Sequence, residues 1–285
     1  MPKHSITFEA IGTQWVIETV RLLPDEVTDQ IHARIESFDK TYSRFRKDSL
    51  VTTISKQPGI YTFPDDAVLL FDFYDALYEV TDAKVTPLIG GMLEKAGYDA
   101  DYTFHQHTQV ALPAWGDVVE RRNTILKVKH PVMLDVGAAG KGYLVDCVCE
   151  LLDAAGVEDY VVDASGDLRH KGVLENAVGL EDPRDPSKVI GVIDIMNKSL
   201  CASATNRRTW GSNQHHIFDP DAMEPVKDVI STWVIADSTM IADGIATALF
   251  FTDPQVLSDR FQYEYVRMYA NGAIDYSPMF EGRLF

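Results

Sequence analysis

The sequence of 285 residues has little of several features that define other classes of protein. It contains only three cysteines, Cys147, Cys149 and Cys201, with no C-x-x-C spacing, which disfavours both a disulfide framework and a structural zinc site. We expect these cysteines to be small buried hydrophobic side chains. No apolar run approaches the roughly 20 residues that a membrane-spanning helix needs, so the sequence predicts no membrane insertion.

Basic side chains are also scarce. The 26 lysines and arginines face 43 acidic residues, for a formal net charge of −17. Such a surface would repel a phosphate backbone, which makes nucleic-acid binding an unfavourable interpretation. The N-terminal residues show neither the apolar core of a signal peptide nor a cysteine placed for lipidation. The expected location is therefore cytoplasmic, although an export signal could have been removed.

What the sequence does contain is a mixed pattern of helices and strands, with 46% apolar residues. Alternating residues predict a strand pair over 5–21 around Gly12, and apolar residues at helical spacing predict helices over 24–41 and 64–80. Further strands are predicted at 124–129, 132–136, 160–163, 189–195, 229–236 and 263–269. Short elements in irregular order indicate an α+β fold, and we expect one compact two-lobed domain over 1–285 with mixed or antiparallel sheets.

The most informative stretch is a glycine turn that feeds a predicted helix. Gly137, Gly140 and Gly142 surround Lys141 there, and Gly156 stands where that helix should end. Free backbone N–H groups and a lysine at a helix N-terminus suit an anion. The spacing matches neither a Walker A loop nor a dinucleotide fingerprint. A tight turn with a solvated lysine remains an equal alternative.

A second cluster lies near the end of the chain. If Ala242–Leu249 is helical, Asp243 and Thr247 lie one turn apart on the same face. A carboxylate and a hydroxyl are oxygen ligands that suit Mg²⁺. The alternative, which the residues alone favour, is an N-terminal capping pair on a core helix.

Between these clusters, two weaker signals allow two interpretations each. Arg207 and Arg208 could clamp a phosphate or simply solvate a loop. His216 and Asp219 could orient one another for proton transfer, or Asp219 could initiate a turn with Pro220.

Five segments in this order resemble the FAD:protein FMN transferase family, the ApbE-like flavin transferases. They run from residue 42 to residue 249: Tyr42–Arg46 with Asp48 and Ser49, Leu134–Asp146, Val161–Leu168, His216–Pro220 and Ala242–Leu249. The resemblance implies an α+β fold with a flavin cleft between two lobes. It also implies Mg²⁺-dependent transfer of FMN from FAD to a threonine or serine hydroxyl of an acceptor flavoprotein, with release of AMP.

The resemblance assigns roles to individual residues of this chain. Mg²⁺ would be held by the side chains of Asp243 and Thr247 and by the backbone carbonyl of Ala138. FAD would be contacted by residues from three of the segments, namely Tyr42, Ser43, Asp135, Lys141 and Phe218. His216 would activate the acceptor hydroxyl, with Asp243 and Lys141 as the other catalytic groups.

The chain departs from the family pattern at four places. Tyr42 stands where the family commonly has Met, Ser165-Gly166-Asp167 replaces Gly-Gly-Asp, and Ala202-Ser203-Ala204 replaces Thr-Ser-Gly. The fourth is Thr81–Gly90, which lacks the Gly-x-Phe of the family. Two other functions therefore stay open: a FAD pyrophosphatase, in which water replaces the acceptor hydroxyl, and a protein that binds FAD without chemistry.

Overall fold

The structure is a computed structural model that describes residues 4–173, 176–211 and 214–285. The helices are α1 Asp25–Tyr42, α2 Leu50–Ile54, α3 Ala67–Val80, α4 Gly90–Lys95, α5 Trp115–Val118, α6 Gly140–Ala154, α7 Thr239–Ala248 and α8 Pro254–Ser258. A short 3₁₀ helix, Pro87–Ile89, directly precedes α4.

The strands follow in chain order. They are β1 His4–Ala10, β2 Thr13–Thr19, β3 Gly59–Thr62, β4 Val119–Arg122, β5 Ile125–Val128, β6 Tyr160–Asp163, β7 Asp167–Lys171, β8 Asn176–Glu181 and β9 Val189–Ile195, then β10 Ser199–Ala204, β11 Thr209–Trp210, β12 Gln214–His215, β13 Phe218–Asp219, β14 Glu224–Pro225, β15 Val229–Ala236, β16 Glu264–Tyr269, β17 Ile274–Tyr276 and β18 Arg283–Leu284.

The chain divides into two units, each built from separate stretches of sequence. Unit 1 comprises Met1–Glu36, Ala139–Asn206 and Lys227–Phe285, and unit 2 comprises Ser37–Ala138 and Arg207–Val226. Both units combine helices with antiparallel sheets, which confirms the predicted α+β class. The single domain and the cleft between its lobes stay predictions.

Unit 1 is built on an eight-stranded sheet in the order β1-β2-β6-β7-β10-β15-β16-β17, in which every neighbouring pair is antiparallel. The predicted strand pair at its edge is present, and its two-residue turn places Ile11 and Gly12 at φ 45° and 75°. Positive φ at both central residues is the turn geometry that matches the twist of a hairpin. In β2, Trp15, Ile17 and Thr19 are buried while their neighbours are not, which is the period of two of a half-buried strand.

A second sheet of unit 1, in the order β18-β9-β8, closes part of its core. The buried side chains of this core come from both sheets: Leu180, Ile190, Ile193, Ile195, Leu200, Trp233, Ile235, Val266 and Met268. The helices α6 and α7 pack on the eight-stranded sheet, α6 against β7 and α7 against β10 and β15.

Unit 2 contains the small sheet β3-β5-β4 and the helices α2 to α5. One of its cores is unusually aromatic and consists of Met92, Leu93, Ala96, Tyr98, Trp210 and Phe218. Two short hairpins, β11-β12 and β13-β14, bring the last two of these residues to it from a distant part of the sequence.

Most predicted elements are confirmed, but the strand at 132–136 is wrong. That segment has no regular structure, because the backbone N–H of Asp135 donates to Pro87 O at 2.8 Å instead of joining a ladder. The strands β7 and β10 were not predicted, since their short polar stretches, DLRHK and SLCASA, lack a clear alternation. The glycine expected at the end of α6 is present: Gly156 has φ 73°, and Val157 N donates to Leu152 O in a Schellman motif.

The three cysteines are buried and unbridged, as predicted. Within the described ranges, no helix has the length and apolar character needed to cross a membrane.

Candidate functional site

In unit 1, the candidate site begins where α6 and α7 cross. The helices meet at Gly142, where a Cβ atom would lie 2.7 Å from the Cβ of Asp243, closer than real side chains approach. Only glycine allows this approach, so the third glycine of the turn serves helix packing. As a result, the N-terminal turn of α6 lies directly against the face of α7 that carries Asp243.

Asp243 uses this proximity to accept a hydrogen bond. Its Oδ2 receives the backbone N–H of Gly142 at 2.9 Å, and the residue is 5% exposed. A carboxylate in this place is stabilised by the first-turn N–H groups and by the dipole of α6. Thr247 lies one turn further along α7 and is half-buried, so the predicted i, i+4 pair is on one helix as expected.

The capping interpretation of this pair is wrong, because other residues cap α7. Ser238 is the N-cap, and its Oγ accepts from Ile241 N. The carboxylate of Asp146 on α6 accepts from Ser238 Oγ and from the backbone N–H groups of Thr239 and Met240, at 2.7 to 2.9 Å. Because Ser238 and Asp146 accept from the first backbone N–H groups of α7, Asp243 does not serve as a cap of that helix.

Lys141, the residue before Gly142, is held by a buried acid. Its Nζ lies 2.9 Å from Asp167 Oδ2, and it also donates to Ala164 O at 3.1 Å. The side chain of Asp167 is 1% exposed and that of Lys141 is 17% exposed. The interpretation of Lys141 as a solvated lysine is therefore wrong. Burial alone would lower the pKa of Lys141, but the carboxylates of Asp167 and Asp243 raise it above its ordinary value.

In unit 2, the acid Asp135 is held by a different base. Arg44 Nε donates to Asp135 Oδ2 at 2.6 Å, and Arg44 Nη1 donates to Tyr98 O at 2.6 Å. The other carboxylate oxygen, Oδ1, accepts from Gly137 N at 2.6 Å. Asp135 thus joins the arginine to the first glycine of the turn.

The guanidinium of Arg44 is also enclosed by aromatic rings. It lies 4.2 Å from the centroid of Phe45 and 4.8 Å from that of Tyr98, and the side chain is 2% exposed. Tyr98 stacks on Trp210 with centroids 5.2 Å apart. Phe218, a predicted flavin contact, is buried in the same aromatic core.

Tyr42 and Ser43 stand at the end of α1. Tyr42 is buried against Phe38 and Phe63, with ring centroids 4.8 and 5.7 Å away. Ser43 is half-buried, and its backbone N–H donates to Asp39 O at 3.0 Å. In unit 2 the Tyr42 ring therefore packs against apolar neighbours.

His216 is half-buried and contacts a backbone carbonyl. Its Nδ1 lies 3.2 Å from Arg207 O. Loss of solvent lowers the pKa of His216 to about 3, and the positive charge of Arg208 contributes. Because a carbonyl oxygen only accepts, Nδ1 carries the proton of the neutral ring, and Nε2 is left as the nitrogen that can accept one.

Asp219 does not orient His216, so that interpretation is wrong. Its carboxylate pairs with Lys84 Nζ at 2.7 Å and accepts the backbone N–H groups of Asp221 and Ala222. These contacts are those of an aspartate that initiates a turn. Arg207 and Arg208 are both exposed.

The donor chemistry in unit 1 fits a hard cation. Asp243 and Thr247 offer a carboxylate and a hydroxyl, and oxygen ligands of this kind suit Mg²⁺. In the part of the chain that the structure describes, no three His, Cys, Asp or Glu side chains cluster to hold a metal. A magnesium ion with few protein ligands keeps several waters and substrate oxygens instead, so the residues present fit it.

Comparison with known proteins places the chain in a family. The model of the ApbE family matches residues 11–266. The chain belongs to the ApbE family. It is 28% identical over 244 residues to a FAD:protein FMN transferase of Vibrio cholerae, covering 81% of this chain and 71% of the relative. A FAD:protein FMN transferase of Escherichia coli is 21% identical over 270 residues, covering 86% of this chain and 76% of the relative.

The fold matches a solved member of the same family. The crystal structure of the ApbE protein from Thermotoga maritima aligns with a TM-score of 0.83 at 23% identity and covers 98% of both chains. This likeness confirms the fold expected from the ordered motifs.

Two residues of these sites were missed by reasoning from the sequence. Arg44 lies inside the segment YSRFR, and Asp167 is the last residue of Ser165-Gly166-Asp167, which replaces Gly-Gly-Asp of the family. Neither residue was assigned a role. The only available signal was their position inside the matching segments. Each of them pairs with a residue that was assigned, Asp135 and Lys141 respectively.

Proposed function

We propose that this protein transfers FMN from FAD to a threonine or serine hydroxyl of an acceptor flavoprotein and releases AMP, in a reaction that depends on Mg²⁺. The observation that carries the proposal is the arrangement in unit 1. The Asp243 carboxylate accepts a hydrogen bond from Gly142 N, and Thr247 lies one turn further along α7. Lys141, which carries the ammonium group, directly precedes Gly142 in the sequence. Membership of the ApbE family supports it.

The reaction forms one oxygen–phosphorus bond and breaks another. The acceptor hydroxyl oxygen attacks the phosphorus on the FMN side of the diphosphate, and the bond from that phosphorus to the bridging oxygen breaks. AMP leaves with the bridging oxygen, and the hydroxyl proton passes to a base. Negative charge grows on the phosphate oxygens, so catalysis rests on positioning and on charge stabilisation.

Lys141 suits the task of charge stabilisation. The raised pKa of Lys141 keeps its ammonium charged at neutral pH. The side chain is only 17% exposed, so it has already lost most of its solvent in the folded protein. Asp243 and Thr247 would hold Mg²⁺, which would neutralise charge on the phosphate oxygens when bound.

His216 suits the role of accepting the hydroxyl proton in one respect. The ring is neutral at pH 7, and its contact with Arg207 O leaves Nε2 as the proton acceptor. A base near the hydroxyl typically contributes about 10²–10⁴-fold. The low pKa makes His216 a weak base in the free protein.

The remaining assignments stay predictions from the resemblance. They are the FAD contacts of Tyr42, Ser43, Asp135 and Phe218 and the metal contact of the Ala138 carbonyl. The location in the cytoplasm stays a prediction from the N-terminal residues.

The test is a reaction with FAD, Mg²⁺ and a flavoprotein whose covalent FMN is attached to a threonine or serine. We expect an FMN adduct in the intact mass of the acceptor and one AMP released per adduct. The matched controls are the acceptor with that residue changed to alanine and a reaction with EDTA in place of Mg²⁺.

The outcomes separate the candidate functions. AMP and free FMN that form at the same rate without any acceptor would identify a FAD pyrophosphatase. FAD that stays intact on the protein over a long incubation with Mg²⁺ and acceptor would identify a binding protein without chemistry.

A further inference from the structure

A buried carboxylate in unit 1 has no role in the function proposed above. Asp167 begins β7, its side chain is 1% exposed, and neither of its carboxylate oxygens has a hydrogen-bond partner among the described residues. Its only described cationic partner is Lys141, whose Nζ lies 2.9 Å from Oδ2. Burying a carboxylate this deeply is unfavourable unless a group of opposite charge compensates for the lost solvent.

The backbone around Asp167 fixes where its carboxylate lies. Ser165 and Gly166 form the turn before β7 with φ of 57° and 103°, and Ala164 N donates to Asp167 O at 2.9 Å. On the other side, Asp167 is opposite Cys201 in the antiparallel pair of β7 and β10. The carboxylate is therefore attached to the middle of a sheet, where it has little freedom to move.

Lys141 needs such an anchor. A lysine ammonium has three donors on a flexible four-carbon chain. Two groups of the same hairpin hold it here: Nζ donates a hydrogen bond to Ala164 O at 3.1 Å and forms an ion pair with Asp167 Oδ2 at 2.9 Å. In the described residues no further acceptor is bonded to Nζ, so at least one N–H is left for a ligand oxygen.

We propose that Asp167 is a positioning residue that holds the Lys141 ammonium in place for the diphosphate of FAD. The inference rests on the proposed function, and Asp167 acts through Lys141 without touching the substrate. The raised pKa of Lys141 agrees with it, because Asp167 is the largest of the contributions that favour the charged form.

The test begins with Asp167→Asn, which keeps the shape of the side chain and removes its charge. We expect kcat for AMP release to fall about 10- to 100-fold, as for other groups that orient a functional side chain, with a smaller change in KM for FAD. The matched control is Asp153→Asn, which removes the acid of the more exposed pair with Lys171 in the same unit. That control should retain the activity of the wild type, and urea unfolding of each variant checks that it is folded under the assay conditions.

A double-mutant cycle separates positioning from a structural role. If Asp167 acts through Lys141, adding Asp167→Asn to Lys141→Met should lower kcat no further. A further loss equal to that seen in the wild-type background would overturn the proposal. So would an Asp167→Asn variant with the kcat of the wild type.

FAD affinity gives a readout without turnover. Titration of each protein with FAD, followed by flavin fluorescence, should show weaker binding in both Asp167→Asn and Lys141→Met, and no additional weakening in the double variant. If the wild type releases no AMP and forms no adduct with any acceptor, the proposed function fails, and the positioning role is decided by this affinity cycle alone. Additive losses of affinity would then overturn it.

Discussion

Each unit of the protein contains one buried acid–base pair next to the glycine turn of the sequence, and the two pairs are built differently. In unit 2 the base is an arginine, and Arg44 donates to Asp135 and to Tyr98 O and packs against the rings of Phe45 and Tyr98. In unit 1 the base is a lysine, and among the described residues Lys141 is held by an ion pair with Asp167 and a hydrogen bond to Ala164 O. The exposed fraction of the base differs too, at 2% for Arg44 and 17% for Lys141.

The difference follows from the chemistry of the two bases. A guanidinium is planar and presents several donors in a rigid fork, which suits it to lock a carboxylate and a backbone oxygen together. An ammonium is a compact charge that can add or exchange an acceptor with little rearrangement. We infer that the Arg44 pair maintains the shape of the turn at Gly137, while the Lys141 pair keeps a charge ready for a ligand.

The largest expected effect is on stability, and it tests whether the Arg44 pair maintains the local structure. Arg44→Met would leave Asp135 without its partner, and breaking a buried pair in this way destabilises by about 3–5 kcal/mol. The control is Arg46→Met in the same segment, because Arg46 is partly exposed, pairs with Asp39 and with the exposed Asp48, and should cost less, about 1 kcal/mol. Urea unfolding measures both variants. Equal destabilisation by the two would remove the distinction between a locked arginine and a surface one.

The next effect tests the chemical half. Asp243→Asn keeps the side-chain shape at Gly142 N and removes the charge that would hold Mg²⁺. We expect Mg²⁺-dependent AMP release to fall about 10²–10³-fold, the range for loss of one electrostatic group at a reacting centre. Asp237→Asn is the control, since Asp237 forms an exposed pair with Lys198 just before α7. Undiminished turnover by Asp243→Asn would refute the metal assignment.

A glycine in each unit sharpens the comparison further. Gly142→Ala should destabilise by about 1–3 kcal/mol, because its Cβ would lie 2.7 Å from that of Asp243 and force α6 and α7 apart. Gly91 in α4 has open space around its Cβ position, so Gly91→Ala should be neutral or stabilise by up to about 1 kcal/mol. Differential scanning calorimetry would measure both. If the two alanines shifted the unfolding temperature alike, the helix crossing at Gly142 would not be tight.

The last effect concerns pH and belongs to unit 2. The pKa of His216 is about 3 in the folded protein, against an ordinary value of 6.5. Below pH 6.5 the unfolded chain binds a proton that the folded chain does not, so stability falls as the pH drops from 6.5 towards 3. The slope from this residue is about 1.4 kcal/mol per pH unit.

Urea unfolding of the wild type and of His216→Asn at pH 7, 6 and 5 would measure this slope. The variant should lose less stability than the wild type over that range. Parallel curves for the two proteins would contradict a buried neutral histidine at this position.

Much of the fold could be predicted because local signals were strong. The hairpin around Gly12 and the helix α1 follow from side-chain periodicity, and Gly156 ends α6 as the sequence indicated. The strand predicted at 132–136 is absent because the backbone N–H of Asp135 donates to Pro87 O, and these two residues are far apart in the chain. Periodicity carries no information about such contacts.

The candidate site divides in the same way. The sequence by itself determined the residue types that can act on a phosphate, Lys141 beside a glycine turn and Asp243 one turn from Thr247, since these are set by spacing along one helix or turn. Only the tertiary structure decided which partner each polar side chain has. Lys141 pairs with Asp167, and Asp135 pairs with Arg44. His216 contacts the backbone carbonyl of Arg207 and not Asp219. A charge in a protein interior is stabilised by whatever group the fold places within about 3 Å of it, and that distance is a property of packing that no local pattern encodes.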